Sequence, residues 1–134
     1  MSRSEYTEDR DSEWQLIMWR GAVASSIRGK RGQAFLKEMA AALDALPEKI
    51  LVAESLHVSG AVCAIGSVGL ARGIDMSAID PEDHHKVAET FGVADALVRE
   101  IVYMNDEYSF RAETPQARYE RMRQWVDSNI KKGE

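Results

Sequence analysis

The stretch RGKRGQAFLKEMAAALDAL, residues 28–46, predicts a turn followed by a helix. Gly29 and Gly32 bracket the turn, and apolar residues recur after it at helical spacing. These apolar residues are Phe35, Met39, Leu43 and Leu46. The alanines between them favour a helix over residues 33–46, which Pro47 ends. A short connection marked by glycine indicates that this helix pairs antiparallel with the one before it.

The preceding helix is apolar on most of its sides. It begins near Ser12, and its apolar or small residues are Trp14, Leu16, Ile17, Met18, Trp19, Gly21, Val23 and Ala24. A helix of this kind needs burial on most of its surface. We therefore expect it to be the central element of the fold or to present part of its surface to a partner. A homodimer that buries the excess apolar surface is one such arrangement.

Two structures are compatible with residues 50–72. In one, residues 50–58 form a strand, and Ser59-Gly60 turns the chain into a hairpin that continues to residue 65. In the other, residues 62–72 form a helix whose Gly66 and Gly69 let a neighbouring backbone approach closely. The helical period of the apolar residues after position 62 favours the second structure.

Three more helices follow from local signals. Asp80-Pro81 predicts a helix start, with the aspartate as the N-cap, and Gly92 predicts its end after Phe91. A second helix runs from residue 93 or 94 to Asn105-Asp106. Thr114-Pro115 opens the last helix, which continues through Ile130 and turns its apolar side inward. The inward residues are Tyr119, Met122, Val126 and Ile130.

The expected fold is mainly α: a compact single-domain bundle of five to six short helices, with a small β-hairpin near residues 50–65 as the open alternative. Residues 1–10 are rich in acids and have no aliphatic side chain, so we expect a flexible acidic arm. Residues 11–134 then form a single helical domain. A length of 134 residues is close to the modal size of one domain.

Composition excludes several classes of protein. No apolar run is long enough to cross a bilayer, and the first residues lack the apolar core of a signal peptide. One cysteine, Cys63, excludes an internal disulfide and fits a reducing cytoplasm. A net charge of −5 argues against a generally basic nucleic-acid coat protein. We expect a cytoplasmic protein.

The most informative functional feature is a run of basic residues without an acid. It comprises Arg20, Arg28, Lys30, Arg31 and Lys37. Two glycines flank the three central cations, a composition that suits phosphate or an acidic protein surface. We take these five residues as candidate partner-binding residues. In the alternative interpretation, they complement a helix dipole and keep a turn solvated.

A second basic set lies on the last helix. It contains Arg118, Arg121, Arg123, Lys131 and Lys132. Two acids on the same helix, Glu120 and Asp127, dilute this set. The sequence does not show whether the two basic sets share a face.

Evidence for catalysis is weaker. Cys63 would need a base such as His57 and an orienting group such as Asn105 or Asp106, but its neighbours are apolar and raise the pKa of a thiol. A buried cysteine that packs as a small hydrophobe explains the position better. His84 and His85 are adjacent on a predicted helix and cannot bind one metal ion together. No catalytic residue, metal site or cofactor motif is predicted.

Five segments of the chain resemble small uncharacterised proteins of bacteriophages and prophages. They are residues 14–23, 28–36, 62–66, 73–76 and 104–107, and the likeness extends over most of residues 14–126. The segment at 28–36, with its glycine-flanked cations, is the most specific. That family has no assigned activity, so the resemblance implies a setting, the cytoplasm of a bacterial host, rather than a reaction.

The resemblance and the basic run together lead to an expected function. The chain is expected to be a non-enzymatic phage or prophage accessory protein that binds, and inhibits, a host protein complex such as a CRISPR or other defence effector. A small nucleic-acid-binding protein that uses the turn at 28–31 is the first alternative. A Cys63-dependent enzyme is the second.

Overall fold

The computed structural model describes residues 13–58, 60–107 and 113–131. The helices are α1 (Glu13–Arg28), α2 (Lys30–Ala45), α3 (Ala64–Arg72), α4 (His84–Phe91), α5 (Asp95–Asp106) and α6 (Pro115–Asn129), with β1 (His57–Val58), β2 (Ala61–Val62) and one 3₁₀ turn (Met76–Ala78). The predicted class, a mainly helical bundle, is confirmed. In these ranges, no helix has both the length and the apolar character needed to cross a bilayer. The arm predicted for residues 1–10 lies outside the described residues.

Local chemistry decides where several helices begin and end. Thr114 caps α6 because its hydroxyl oxygen accepts a hydrogen bond from the Ala117 N–H at 3.0 Å, and Pro115 opens the helix as predicted. Gly73 and Gly92 end α3 and α4 in the left-handed conformation, both with φ of 73°. The stop predicted at Gly92 is confirmed.

The predicted start of α4 is wrong. The carboxylate of Asp83, rather than that of Asp80, accepts a hydrogen bond from the Lys86 N–H at 3.1 Å, and α4 begins at His84. The Asp80 carboxylate instead accepts from the Glu82 N–H at 2.9 Å and closes a turn ahead of the helix. Both aspartates can cap a helix, and Asp83, which directly precedes His84, is the one that caps α4.

The hairpin and the helix predicted as alternatives for residues 50–72 are both present. β1 and β2 pair antiparallel with His57 opposite Val62, and α3 begins two residues after β2. The strand predicted for 50–58 is confined to its last two residues. The segment before it bonds to separate partners: Leu51 N–H donates to Pro115 O at 3.1 Å, and Val52 N–H donates to Val62 O at 2.9 Å. These bonds replace the ladder of a longer strand.

α3 is the central element of the core. Its residues from Ala64 to Gly69 are all buried. Gly66 is required there, because a Cβ at this position would lie 2.0 Å from the backbone oxygen of Leu56. The close approach of a backbone to this glycine, expected for the helical alternative, is confirmed.

α1 is therefore not the central element, contrary to one of the two expectations for it. It packs against α5 and α2 and leaves Ile17 and Met18 55% and 58% exposed. On its inner side, the Arg99 guanidinium of α5 lies 5.7 Å from the centre of the Trp19 ring. The described chain covers one side of α1 only.

α2 and α6 complete the core around α3. The four apolar residues predicted to face inward on α2 are all buried, as are Tyr119, Met122 and Val126 of α6. The Tyr119 hydroxyl donates to the Leu43 backbone oxygen at 2.9 Å, so its polar atom is satisfied within the core. The inward faces predicted for these two helices are confirmed, except that Ile130 follows the end of α6 and is only partly buried against the core.

Replacing Gly32 by alanine will destabilise the fold by about 1–3 kcal/mol, because the added methyl group overpacks the contact between α1 and α2. A Cβ at Gly32 would lie 1.8 Å from the Ser26 backbone oxygen, which cannot move as a flexible side chain would. Gly29→Ala is the matched control. Its Cβ would meet Ser25 O at an ordinary 3.5 Å, and φ is −68°.

Urea unfolding of the two variants checks this difference. The free energy of unfolding of Gly29→Ala is expected to stay within about 1 kcal/mol of the wild type, since alanine is only a poorer N-cap. Equal losses in the two variants would contradict the close approach at Gly32.

Candidate functional site

The candidate site is the corner where α1 passes into α2. Gly29 alone separates the two helices, with an extended backbone at ψ 162°. Its N–H still donates to Ser25 O at 3.1 Å, and its own oxygen accepts from the Gln33 N–H at 2.9 Å. The chain thus changes direction without losing these hydrogen bonds. Gly29 occupies the predicted turn, but Gly32 does not bracket it: α2 begins at Lys30, three residues before the predicted start at residue 33, and Gly32 lies within its first turn.

The structure places three of the predicted binding residues at this corner. Arg28 is the last residue of α1, and Lys30 and Arg31 are the first two residues of α2. All three are exposed, and we call them the basic corner. Arg20 and Lys37, also exposed, lie about two helical turns away on α1 and α2 respectively. The five predicted residues thus belong to two consecutive helices.

Among the described residues, these five cations differ from the arginines later in the chain in having no acidic partner. Within the described residues, none of Arg20, Arg28, Lys30, Arg31 and Lys37 forms an ion pair. By contrast, every described arginine from Arg72 onward pairs with a carboxylate. The fold therefore neutralises the later arginines and leaves this run of positive charge open to a partner.

The positions of Lys30 and Arg31 are unfavourable for the helix that carries them. They occupy the first turn of α2, at the positive end of its dipole, where acids are stabilising and cations are not. Gly29 provides no side-chain cap, and the first turn of α2 contains no acid. The dipole interpretation therefore explains Arg28, at the carboxyl end of α1, but not the two cations that follow it.

Gln33 holds the corner in place, a role that the sequence analysis missed. It is buried, and its Nε2 donates to Ile27 O at 2.8 Å and to Asn129 O at 2.9 Å. Its Oε1 accepts from the Lys131 N–H at 2.9 Å. Gln33 thus joins the ends of α1 and α6 beneath the corner. The sequence signal for this role was a polar residue one turn before Leu36, on the buried side of α2.

The three arginines of the second basic set have structural partners, whereas Lys131 is exposed and Lys132 lies outside the described residues. Nε and Nη2 of Arg121 donate to the Glu113 carboxylate, at 2.7 and 2.8 Å, and Arg118 lies 3.5 Å from the same group. Arg123 forms a two-point pair with Asp44 on α2, at 2.9 and 3.2 Å. Arg121 and Arg118 also donate to the backbone oxygens of Met104 and Leu51. These arginines tie α6 to the rest of the bundle and do not extend the basic surface.

Cys63 caps the amino end of α3. Its buried Sγ accepts a hydrogen bond from the Gly66 N–H at 3.3 Å. Asn105, a candidate orienting group, accepts from the Ala64 N–H at 3.2 Å and donates to Val52 O at 2.9 Å. The candidate base, His57, is exposed on β1. These contacts support a structural role for the thiol and the amide.

Other places for a ligand are limited in the part of the chain that the structure describes. His84 is buried while its neighbour His85 is exposed, and no group of three or more potential metal-ligating side chains forms among the described residues. A groove of about 240 Å³ lies between the end of α2 and the hairpin. Of the described residues that line it, only Glu48 is ionisable, so the groove offers no set of groups for acid–base chemistry.

The Glu113 ion pairs make stability depend on acid pH. Arg121 hydrogen-bonds the carboxylate and lowers the pKa of Glu113 below its ordinary value of 4.5, and the charge of Arg118 adds to this effect. Since the folded pKa is the lower one, the stabilisation is complete above the unfolded pKa. It is lost as the pH falls through the folded pKa.

Glu113→Gln is expected to lower the free energy of unfolding at about pH 7, and this loss should shrink as the pH falls through the lowered pKa of the wild-type carboxylate. Denaturant unfolding at a series of pH values measures this. Glu120→Gln, on the exposed side of α6, removes the same charge and should leave the pH dependence unchanged. A pH dependence preserved in Glu113→Gln would contradict the stabilising role of the pairs.

Comparison with protein-family models, curated proteins and solved structures gives no match for this chain. The resemblance to small phage and prophage proteins therefore stays a prediction. The case for a function rests on the geometry of the corner and on the distribution of charge.

Proposed function

We propose that the chain is a non-enzymatic binding protein whose basic corner docks on an acidic surface of a partner protein. One observation carries this proposal: Lys30 and Arg31 are exposed cations at the positive end of α2, and no described acid is paired with them. Such a placement raises the free energy of the free protein. An anionic group of a partner would remove that repulsion and would also accept hydrogen bonds from the N–H groups of the first turn.

A protein partner fits the surroundings of the corner better than a nucleic acid does. A nucleic-acid site tracks many phosphates, and the arginines of α6 that could lengthen such a track are bound to Glu113 and Asp44. The net charge of −5 further opposes general attraction to a polyanion. In addition, α1 leads into the corner and exposes Ile17 and Met18 about 15 Å along the helix from Arg28, and exposed apolar side chains beside charge are typical of protein interfaces.

The proposed setting is the cytoplasm of a bacterial host, with a component of a defence or nucleic-acid-handling complex as the partner. This part of the proposal rests on the resemblance of residues 28–36 and their neighbours to phage proteins. An acidic accessory protein suits competition for a basic channel of such a complex, while the basic corner contacts an acidic patch beside it. CRISPR effectors are one class of complex with such channels.

Substitutions at the basic corner test whether it binds the partner. Replacing Lys30 and Arg31 by alanine should lower partner binding about tenfold or more, because charge-assisted contacts of exposed cations to carboxylates are lost. Tagged wild-type and variant proteins are compared by quantitative capture from bacterial lysate treated with nuclease. The matched control, Lys49→Ala with Lys86→Ala, removes two exposed lysines that lie after the far end of α2 and on α4, and it should retain binding.

Three outcomes of this capture would overturn the proposal. Equal binding by the corner variant and the control would remove Lys30 and Arg31 from the interface. Recovery of nucleic acid instead of protein, with an affinity that falls steeply with salt, would establish the nucleic-acid alternative. Capture of no protein from any candidate host would contradict a host complex as the partner.

The effect of Lys30 on the stability of the free protein can be measured without a partner. Lys30→Glu should raise the free energy of unfolding by about 0.3–1 kcal/mol, because an acid replaces a cation at the positive end of α2. The same substitution at Lys37, exposed in the middle of α2, lacks this dipole effect and should change stability less. Thermal or urea unfolding measures the difference. If the two variants are equally stable, the destabilisation of α2 that we assign to Lys30 is wrong.

A further inference from the structure

Lys131 lies next to the basic corner, although it is 98 residues from Gln33 in the sequence. Its backbone N–H donates to Gln33 Oε1 at 2.9 Å, and Gln33 is the fourth residue of α2. Gln33 Nε2 also donates to the backbone oxygen of Ile27, the residue before Arg28, at 2.8 Å. One buried amide therefore joins the backbone of Lys131 to the backbone beside Arg28. The two basic sets, whose relative placement the sequence left open, meet at this point through Lys131.

The charge of Lys131 is open to a partner. Its side chain is exposed, and it forms no ion pair with any acid in residues 13–58, 60–107 and 113–131. The nearest acid before it in the sequence, Asp127, lies on α6, which ends at Asn129. Ile130 is extended, with ψ of 129°, so Lys131 does not continue the helical row of Asp127. Lys131 therefore adds a cation to the surface of the basic corner.

Three helix ends meet at Gln33, and each carries positive charge. The carboxyl ends of α1 and α6 bring Arg28 and Lys131, and the amino end of α2 brings Lys30 and Arg31. We call these four cations the basic junction. The helix dipoles favour the first two cations and oppose the other two. Like charges gathered around one amide also repel one another, over about 8–10 Å at ordinary ionic strength. An anionic partner would relieve this repulsion at all three helix ends.

We propose that Lys131 belongs to the docking surface and that the partner protein contributes an acidic segment, with carboxylates over both the start of α2 and the end of α6. This inference rests on the proposed function and extends its site to a third helix. A single carboxylate at the first turn of α2 would leave Lys131 unpaired. A longer anion such as a nucleic acid would need further cations beyond the junction, and two arginines of α6 are already bound to Glu113 and Asp44.

Gln33 is a positioning residue for this surface, since it carries no charge and only 8% of it is exposed. Its amide accepts from the Lys131 N–H and donates to Asn129 O at 2.9 Å, which fixes the end of α6 against the start of α2. Lys131 thus meets a partner with its backbone already held, so less conformational entropy is lost on binding. Without the amide, the charge of Lys131 would remain but its position would not.

Binding of a defined acidic peptide tests the role of Lys131. Fluorescein-labelled decaglutamate is titrated with the purified full chain at low ionic strength, and fluorescence anisotropy gives the dissociation constant. Lys131→Ala should raise this constant about two- to fivefold, the effect of losing one exposed ion pair. Lys86→Ala is the matched control, since Lys86 is also exposed but lies on α4, and it should bind as the wild type does. The variant with Lys30→Ala and Arg31→Ala, measured with the same peptide, tests the proposed function separately.

A double-mutant cycle tests the role of Gln33. Gln33→Met removes the amide while keeping a side chain of similar length, and circular dichroism shows whether the variant is folded. It should weaken decaglutamate binding about as much as Lys131→Ala does, although it removes no charge. The chain with both substitutions should bind little more weakly than either single variant, because Lys131 is already out of position without the amide. A loss of stability alone would leave the effect of Lys131→Ala unchanged.

The contrary results are distinguishable from one another. Wild-type binding by Lys131→Ala, with weakened binding by the variant of Lys30 and Arg31, would overturn this inference and leave the proposed function standing. Unchanged binding in both variants, or no binding of decaglutamate by the wild type, would contradict the proposed function as well. Additive effects of Gln33→Met and Lys131→Ala would remove the positioning role of Gln33. Tighter binding of a single-stranded oligonucleotide of similar charge, through the same residues, would assign the junction to nucleic acid.

Discussion

The buried amino end of α3 is the constraint around which this fold is arranged. A helix start leaves backbone N–H groups without partners in the helix, and burying them unsatisfied is costly. Here Cys63 Sγ accepts from the Gly66 N–H, and Asn105 Oδ1 accepts from the Ala64 N–H. Because Asn105 also donates to Val52 O, one amide connects α5, α3 and the segment before the hairpin. Elements that are distant in sequence are thereby fixed around the central helix, which approaches Leu56 closely only because residue 66 is glycine.

At the edge of the bundle, the side-chain amide of Gln33 likewise satisfies backbone groups at helix ends. Its amide binds the backbone at the ends of α1 and α6, so the carboxyl end of α1 is anchored while the rest of that helix extends along α5. This anchoring has a consequence for function. It holds the basic corner on rigid helical backbone rather than on a loop, so the cations face a partner with less conformational entropy to lose.

The sequence predicted most of what adjacent residues decide, the choice between Asp80 and Asp83 as the cap of α4 excepted, and it missed what a distant contact decides. Thr114-Pro115 and Gly92 set helix ends through their own capping chemistry, and both were predicted. The apolar width of α1 suggested a central helix, but the bundle centre belongs to α3, whose glycines and alanine permit closer packing. The five cations of the candidate site were found from the sequence because no acid interrupts residues 20–37. The partner of Arg123 was not found, since Asp44 lies 79 residues away and nothing local connects the two.

The basic corner and the exposed apolar side of α1 lie on consecutive helices, and they act over different distances. Charge at the basic corner acts over about 8–10 Å at ordinary ionic strength, so it can orient an approaching acidic surface before contact. The apolar face of α1 contributes only once water has been excluded from it. Neither feature is needed by the core, since α2 would be more stable without cations in its first turn and α1 already contacts α5 with its other side. A pair of exposed cations that lowers the stability of α2 is best explained by what it binds, and the basic corner specifies an acidic group on that partner.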